Sequence, residues 1–155
     1  MKYVDEKFGT QLPTYRGDGG PYWEDGAGSD AYYVAEDRHN QQRALSAEIL
    51  SSINRMLNPA VAPPKALVED IWKNIMLFAE HTWTAWISLA MPDHEQSRKQ
   101  LEVKDNRAVQ AKFEIDEWLQ RSMSQFTDQL HVPSLTLIVF NPVNWRRDCL
   151  VEIDL

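Results

Sequence analysis

All six glycines of this 155-residue chain (Gly9, Gly17, Gly19, Gly20, Gly26 and Gly28) fall within its first 28 residues, and none follows. Glycine supplies the backbone angles that other residues resist, and it lets a ligand or another backbone approach closely. The skew divides the chain. Residues 1–29 read as irregular structure, with LPTYRGDGGPYWEDGAGSD packing glycines, prolines and acids between aromatics. A loop holding Tyr15, Tyr22 and Trp23 is too apolar for a mere linker. It either packs on the body by its aromatics or lines a site.

From Asp30 onward the pattern is helical. Ser29 or Asp30 can cap a first helix, in which Leu45, Ile49, Ile53 and Met56 recur at helical steps and predict its buried face. Asn58-Pro59 ends it, and Pro63 and Pro64 mark the connection. A second helix is predicted from Pro64 or Lys65, with Leu67, Ile71, Ile75, Phe78 and Thr82 in register. Its run IMLFAEHTWTAWISLAM continues to Met91 before Pro92. That run is short for a membrane span and has Glu80-His81 at its middle, so a core helix is predicted instead. A third helix spans about Glu95 to Leu130, with Leu101, Ala108, Ile115, Leu119, Ser122, Phe126 and Leu130 keeping the period. After Pro133 the period drops to two: SLTLIVF and CLVEIDL read as two β-strands joined at NPVNW. The predicted fold is mainly α: an antiparallel three-helix bundle over 30–131. The Gly-rich loop segment 1–29 precedes it and the strand pair in 132–155 follows, as the opening of a β domain cut short.

Composition narrows the function. Sixteen Lys and Arg against 23 Asp and Glu leave a net charge of −7. With no basic cluster, the chain is a poor nucleic-acid binder. The single cysteine, Cys149, makes no internal disulfide or cysteine-rich zinc site and favours a reducing, cytoplasmic compartment. The start MKYVDEKFGTQ shows no secretory signal. No phosphate-cradling loop and no G-x-S-x-G elbow is present.

Glu80-His81 stands out, because an ionisable pair inside an apolar run must be satisfied. His81 is either a core histidine bonded to a neighbouring helix or a metal ligand. There is no H-E-x-x-H, since Ala85 stands four residues on, so further ligands must come from elsewhere. Trp83 and Trp86 flank His81 and read as helix packing or as the wall of a sugar site. Asp18, Glu24, Asp25 and Asp30 offer carboxylate pairs or, more simply, turns and caps.

The order YWEDGAGSDA, then AEHTWTAW, then LTLIVFNPVNWRRD resembles glycoside hydrolase family 38, the retaining α-mannosidases, from about Leu12 to the end. The resemblance implies the end of a catalytic domain, a whole three-helix middle domain and the first strands of a β region. It implies zinc as cofactor, His81 as one metal ligand, and Trp23 as the aromatic beside the sugar. Thr82 occupies the place of an aspartate that contacts sugar hydroxyls in many members. The implied partners are an α-mannoside and the missing catalytic and β domains, with neither nucleic acid nor membrane. No catalytic residue is assigned, because the nucleophile and the other ligands belong to sequence not in this chain. The alternative is an autonomous, non-catalytic helical binding or interaction module. A third reading, a small metal hydrolase, requires Asp18, Glu24 or Asp25 to reach His81.

Overall fold

The computed structural model describes residues 2–17, 24–82, 84–130, 132 and 134–151; of Glu24 and Asp25 only the backbone is described. The elements are α1 (Lys2–Phe8), α2 (Glu24–Ser29), α3 (Ala31–Leu57), α4 (Lys65–Phe78) and α5 (Glu95–Asp128). The first two are short helices within the segment predicted to be irregular. α1 buries none of its residues.

The three long helices pack up, down and up. Asn40 Nδ2 donates to the carbonyl of Ala108 at 2.9 Å, and Asn54 Nδ2 donates to that of Ser122 at 2.8 Å. Both bonds span the same 68 residues, so α3 and α5 run parallel. α4 runs against both: Lys104 meets Phe78, and further along α5 Glu114 meets Asn74. Trp72 Nε1 donates to Glu48 of α3 at 2.5 Å. This is the antiparallel three-helix architecture that the proline-marked connections predict.

The buried stripe of α3 differs from the predicted one. Leu45, Ile49 and Met56 are exposed and Ile53 is half-buried. Asp37, Asn40, Ala44, Ala47, Ser51 and Asn54 face inward instead, at alternating steps of three and four, with Val34 and Leu50 the large aliphatics buried on this helix. Ala108, Ala111, Ile115, Trp118 and Ser122 repeat those steps on α5. This is the spacing of coiled-coil packing. Size explains the choice: Ala44, Ala47 and Ala111 leave room for Trp118, Ile71, Ile75 and Ile115, with which they form the main core cluster. A stripe of leucine and isoleucine on α3 would overfill the same space. The two asparagines, both fully buried, fix the parallel register through bonds to backbone carbonyls. Replacing Asn54 by alanine is expected to lower stability by about 1–3 kcal/mol, since a hydrogen bond and packed volume both go. Urea denaturation measures it.

The second helix stops at Phe78 rather than running to Met91. Two local bonds and one from afar explain the break. Thr82 N donates to Glu80 Oε2 at 3.1 Å, closing a tight turn. Ser88 Oγ donates to the Ala85 carbonyl at 2.8 Å, and Thr84 Oγ1 to that of Gly26 at 2.6 Å. Such side-chain bonds give the backbone an alternative to the helix. Lys104 Nζ, from α5, also caps the terminal carbonyl of Phe78 at 3.2 Å, where the negative end of the helix favours a cation. Residues 79–82 and 84–94 are therefore turns and bends, and α5 restarts at His94, whose Nδ1 accepts from Gln96 N at 3.2 Å.

The predicted strand pair is not formed: among the described residues there is no strand. Residues 134–151 are mostly exposed and touch the bundle where Phe140 meets Phe126, ring centroids 6.0 Å apart. Two short alternating runs without a covering surface do not hold a ladder in water. The last four residues of the second predicted strand, 152–155, lie outside the described residues. Among the described residues no helix is long and apolar enough to cross a membrane.

Candidate functional site

The site is built where α4 ends. Because the helix stops at Phe78, His81 projects from a turn instead of sitting in a core: its side chain is 81% exposed. The reading of His81 as a core histidine on a continuous helix is corrected by that break. His81 Nδ1 lies 2.9 Å from Glu80 Oε2. A carboxylate at that distance draws the ring proton onto Nδ1 and leaves Nε2 as the basic, outward nitrogen. Nε2 makes no hydrogen bond with any described residue.

Glu80 is itself held. Lys104 Nζ and Thr82 Oγ1 both bond its Oε1. Partial burial by itself raises the Glu80 carboxyl. The hydrogen bond from Lys104 and those from Thr82 outweigh it and hold the group at about 2. It is ionised at any working pH, which keeps its hold on His81 constant. Glu80 and Thr82 also line a cleft of about 610 Å³ against the start of α5, with Lys99, Gln100 and Lys104 on the far wall. The Thr82 hydroxyl gives its proton to Glu80 and keeps acceptor capacity toward that cleft.

Two of the sequence motifs meet here. Ser29 Oγ lies 2.7 Å from Ser88 Oγ and donates to the Gly26 carbonyl at 2.8 Å, while Thr84 donates to that same carbonyl. The GAGS segment is thereby fastened to Thr84 and Ser88, which follow His81 in the chain. Trp23, predicted beside the sugar, lies outside the described residues, as do Trp83 and Asp18. Trp86 is 55% exposed and is not part of the core. Asp30 precedes α3 without making a side-chain cap bond; its carboxyl pairs with Asp105 of α5 instead. Sequence reasoning missed Lys104 and Asp105, because each acts across more than 20 residues on a partner in another element.

Among the described residues no three His, Cys, Asp or Glu side chains converge on a point that could hold a metal. The turn thus offers one nitrogen donor, oriented and backed by a carboxylate, and no closed metal site. Comparison with known protein families, with curated proteins and with solved structures gave no match.

Proposed function

We propose that this chain is the bundle portion of a zinc-dependent, retaining α-mannosidase-like glycoside hydrolase, and that His81 is one ligand of its metal. The observation that carries the reading is the exposed His81 ring whose Nδ1 rests 2.9 Å from a fixed Glu80 carboxylate. Metal-bound histidines are oriented by such a partner behind the ring. A core histidine needs no outward nitrogen, and a purely structural turn needs no Lys104–Glu80–His81 relay. The bonds between Gly26, Ser29, Thr84 and Ser88 support it further, since they hold the Gly-rich segment beside the ligand turn.

The fit to zinc is that of a contributor. His81 supplies nitrogen, and two or three more ligands come from outside the described residues. When bound, zinc supplies Lewis-acid contact to sugar hydroxyls. Within this chain, Glu80 keeps the His81 proton on Nδ1, Lys104 keeps Glu80 ionised and in place, and Thr82 offers its hydroxyl oxygen to a sugar in the adjoining cleft. The chain alone is expected to be inactive toward α-mannosides, because it holds no assigned nucleophile or general acid. Robust turnover by the purified chain sinks that expectation.

Calorimetric titration with zinc chloride tests the ligand assignment. The wild-type chain is expected to bind weakly, His81→Ala to lose that binding, and Glu80→Gln to weaken it about tenfold. Equal binding by wild type and His81→Ala excludes His81 as a ligand.

A further inference from the structure

At the other end of the bundle, α3, the 58–64 connection, α4 and α5 enclose a second cavity of about 400 Å³. The 14 residues of α4, about 21 Å of helix, separate it from His81. Nothing in the following argument depends on the reading of that histidine.

The cavity is lined by Trp118 and Ser51, which are only 2% and 6% exposed. Both carry a polar hydrogen without an acceptor. The Trp118 indole N–H is buried and unpaired, and the Ser51 hydroxyl makes no hydrogen bond with any described residue. The indole N–H is shut off from the cavity, whereas the Ser51 hydroxyl keeps a hydrogen to give to an acceptor that enters it. The apolar wall is Val68 and Pro63.

The rim carries two cations and two anions. Lys65, the first residue of α4, makes no ion pair among the described residues. α4 opens at Pro64 without a side-chain cap, so its positive end adds to the Lys65 charge. Arg55 is partly engaged, donating from one nitrogen to the carbonyls of Val61 and Pro59 at 3.0 and 3.4 Å. Opposing them, Glu48 is tied to Trp72, and Glu69 makes no ion pair among the described residues. Lys65 is the cation of this rim left to meet one negative charge, and the two carboxylates, Glu48 and Glu69, repel a second.

We propose that this cavity binds a small monocarboxylate with an apolar body. The carboxylate meets Lys65 and the Ser51 hydroxyl, and the hydrocarbon lies against Val68, Pro63 and the edge of Trp118.

The test is a nitrogen–proton NMR titration of the whole chain with hexanoate, following the Trp118 indole signal identified by Trp118→Phe. About eight heavy atoms at roughly 0.5 kcal/mol each give a millimolar Kd. A saturable shift is expected with hexanoate and none with inorganic phosphate. Lys65→Met, at an exposed position that leaves the fold intact by circular dichroism, is expected to weaken hexanoate about tenfold, and Ser51→Ala to weaken it severalfold. Binding that survives both substitutions unchanged overturns the proposal, as does no saturable shift at all. Equal binding of hexanol removes the carboxylate from it, and equal binding of phosphate removes the apolar body. His81→Ala is expected to bind hexanoate like wild type, so the fate of the zinc reading leaves this one untouched.

Discussion

Trp118→Ala is expected to destabilise the bundle by about 3–5 kcal/mol, the range for deleting a buried tryptophan. Its side chain is 2% exposed and packs with Ala44, Ala47, Ile71, Ile75, Ala111 and Ile115. The alanines around it cannot expand into the space, so the cavity stays open. A domain this size has only about 5–15 kcal/mol to lose, and its melting temperature should fall by about 10–20 °C. Trp86→Ala supplies the contrast. That side chain lies in the 84–94 turns and is 55% exposed, and its removal is expected to change stability by no more than about 0.5 kcal/mol. Thermal unfolding followed by circular dichroism separates the two. A large loss in Trp86→Ala would mean that the run from Ile75 to Met91 is core after all.

The same pair of tryptophans shows what was legible in the sequence. Helix limits were: prolines and polar caps locate α3, α4 and α5 at their starts, and the ends of α3 and α5, within a few residues. The inward face of α3 was not. Hydrophobicity ranks Leu45, Ile49 and Met56 above Ala44, Ala47 and Asn54, but a core shared with Trp118 selects by volume, and volume is a property of the partner. The end of α4 was hidden for a related reason. The hydroxyls of Thr82, Thr84 and Ser88 are visible in the sequence, but nothing within residues 79–91 announces that Lys104 will cap the Phe78 carbonyl or that Gly26 will accept from Thr84. The residues of the candidate site were legible and its geometry was not. His81 and Thr82 are conspicuous in an apolar run, whereas the tether holding Glu80 comes from α5, 24 residues away. The strand pair failed in the opposite direction. Its alternation is real, and alternation alone does not supply the neighbouring sheet that makes it a strand.

Raising the pH from 5 to 8 is expected to weaken the fold, contrary to the behaviour of a protein held by salt-bridged carboxylates. The cause lies at the α2 end of the bundle, where Asp30 and Asp105 share a hydrogen bond and Asp37 is buried nearby on α3. Burial, and then the hydrogen bond and charge of Asp30, push the Asp105 carboxyl up to about 7. Burial pushes Asp37 up to about 6 against an opposing bond from Gln41. Each has an oxygen with no hydrogen-bond partner, Asp105 Oδ1 and Asp37 Oδ1. Both groups bind a proton more tightly folded than unfolded. Their contribution is therefore complete below about pH 4, declines as pH rises through 6 and 7, and is gone above. Unscreened, the two shifts amount to about 7 kcal/mol. About 4 kcal/mol of that falls between pH 5 and 8, and because Asp105 is only half-buried, solvent screening reduces the expected loss there to about 1–3 kcal/mol. Asp105→Asn keeps a donor for the Asp30 carboxylate without the second charge, so it should flatten the profile and stabilise the chain at pH 8. Glu80 does not interfere, because its carboxyl, held at about 2, titrates below this window. Urea denaturation at pH 5, 6.5 and 8 measures the slope, and a stability that rises with pH across that range would contradict the shared proton.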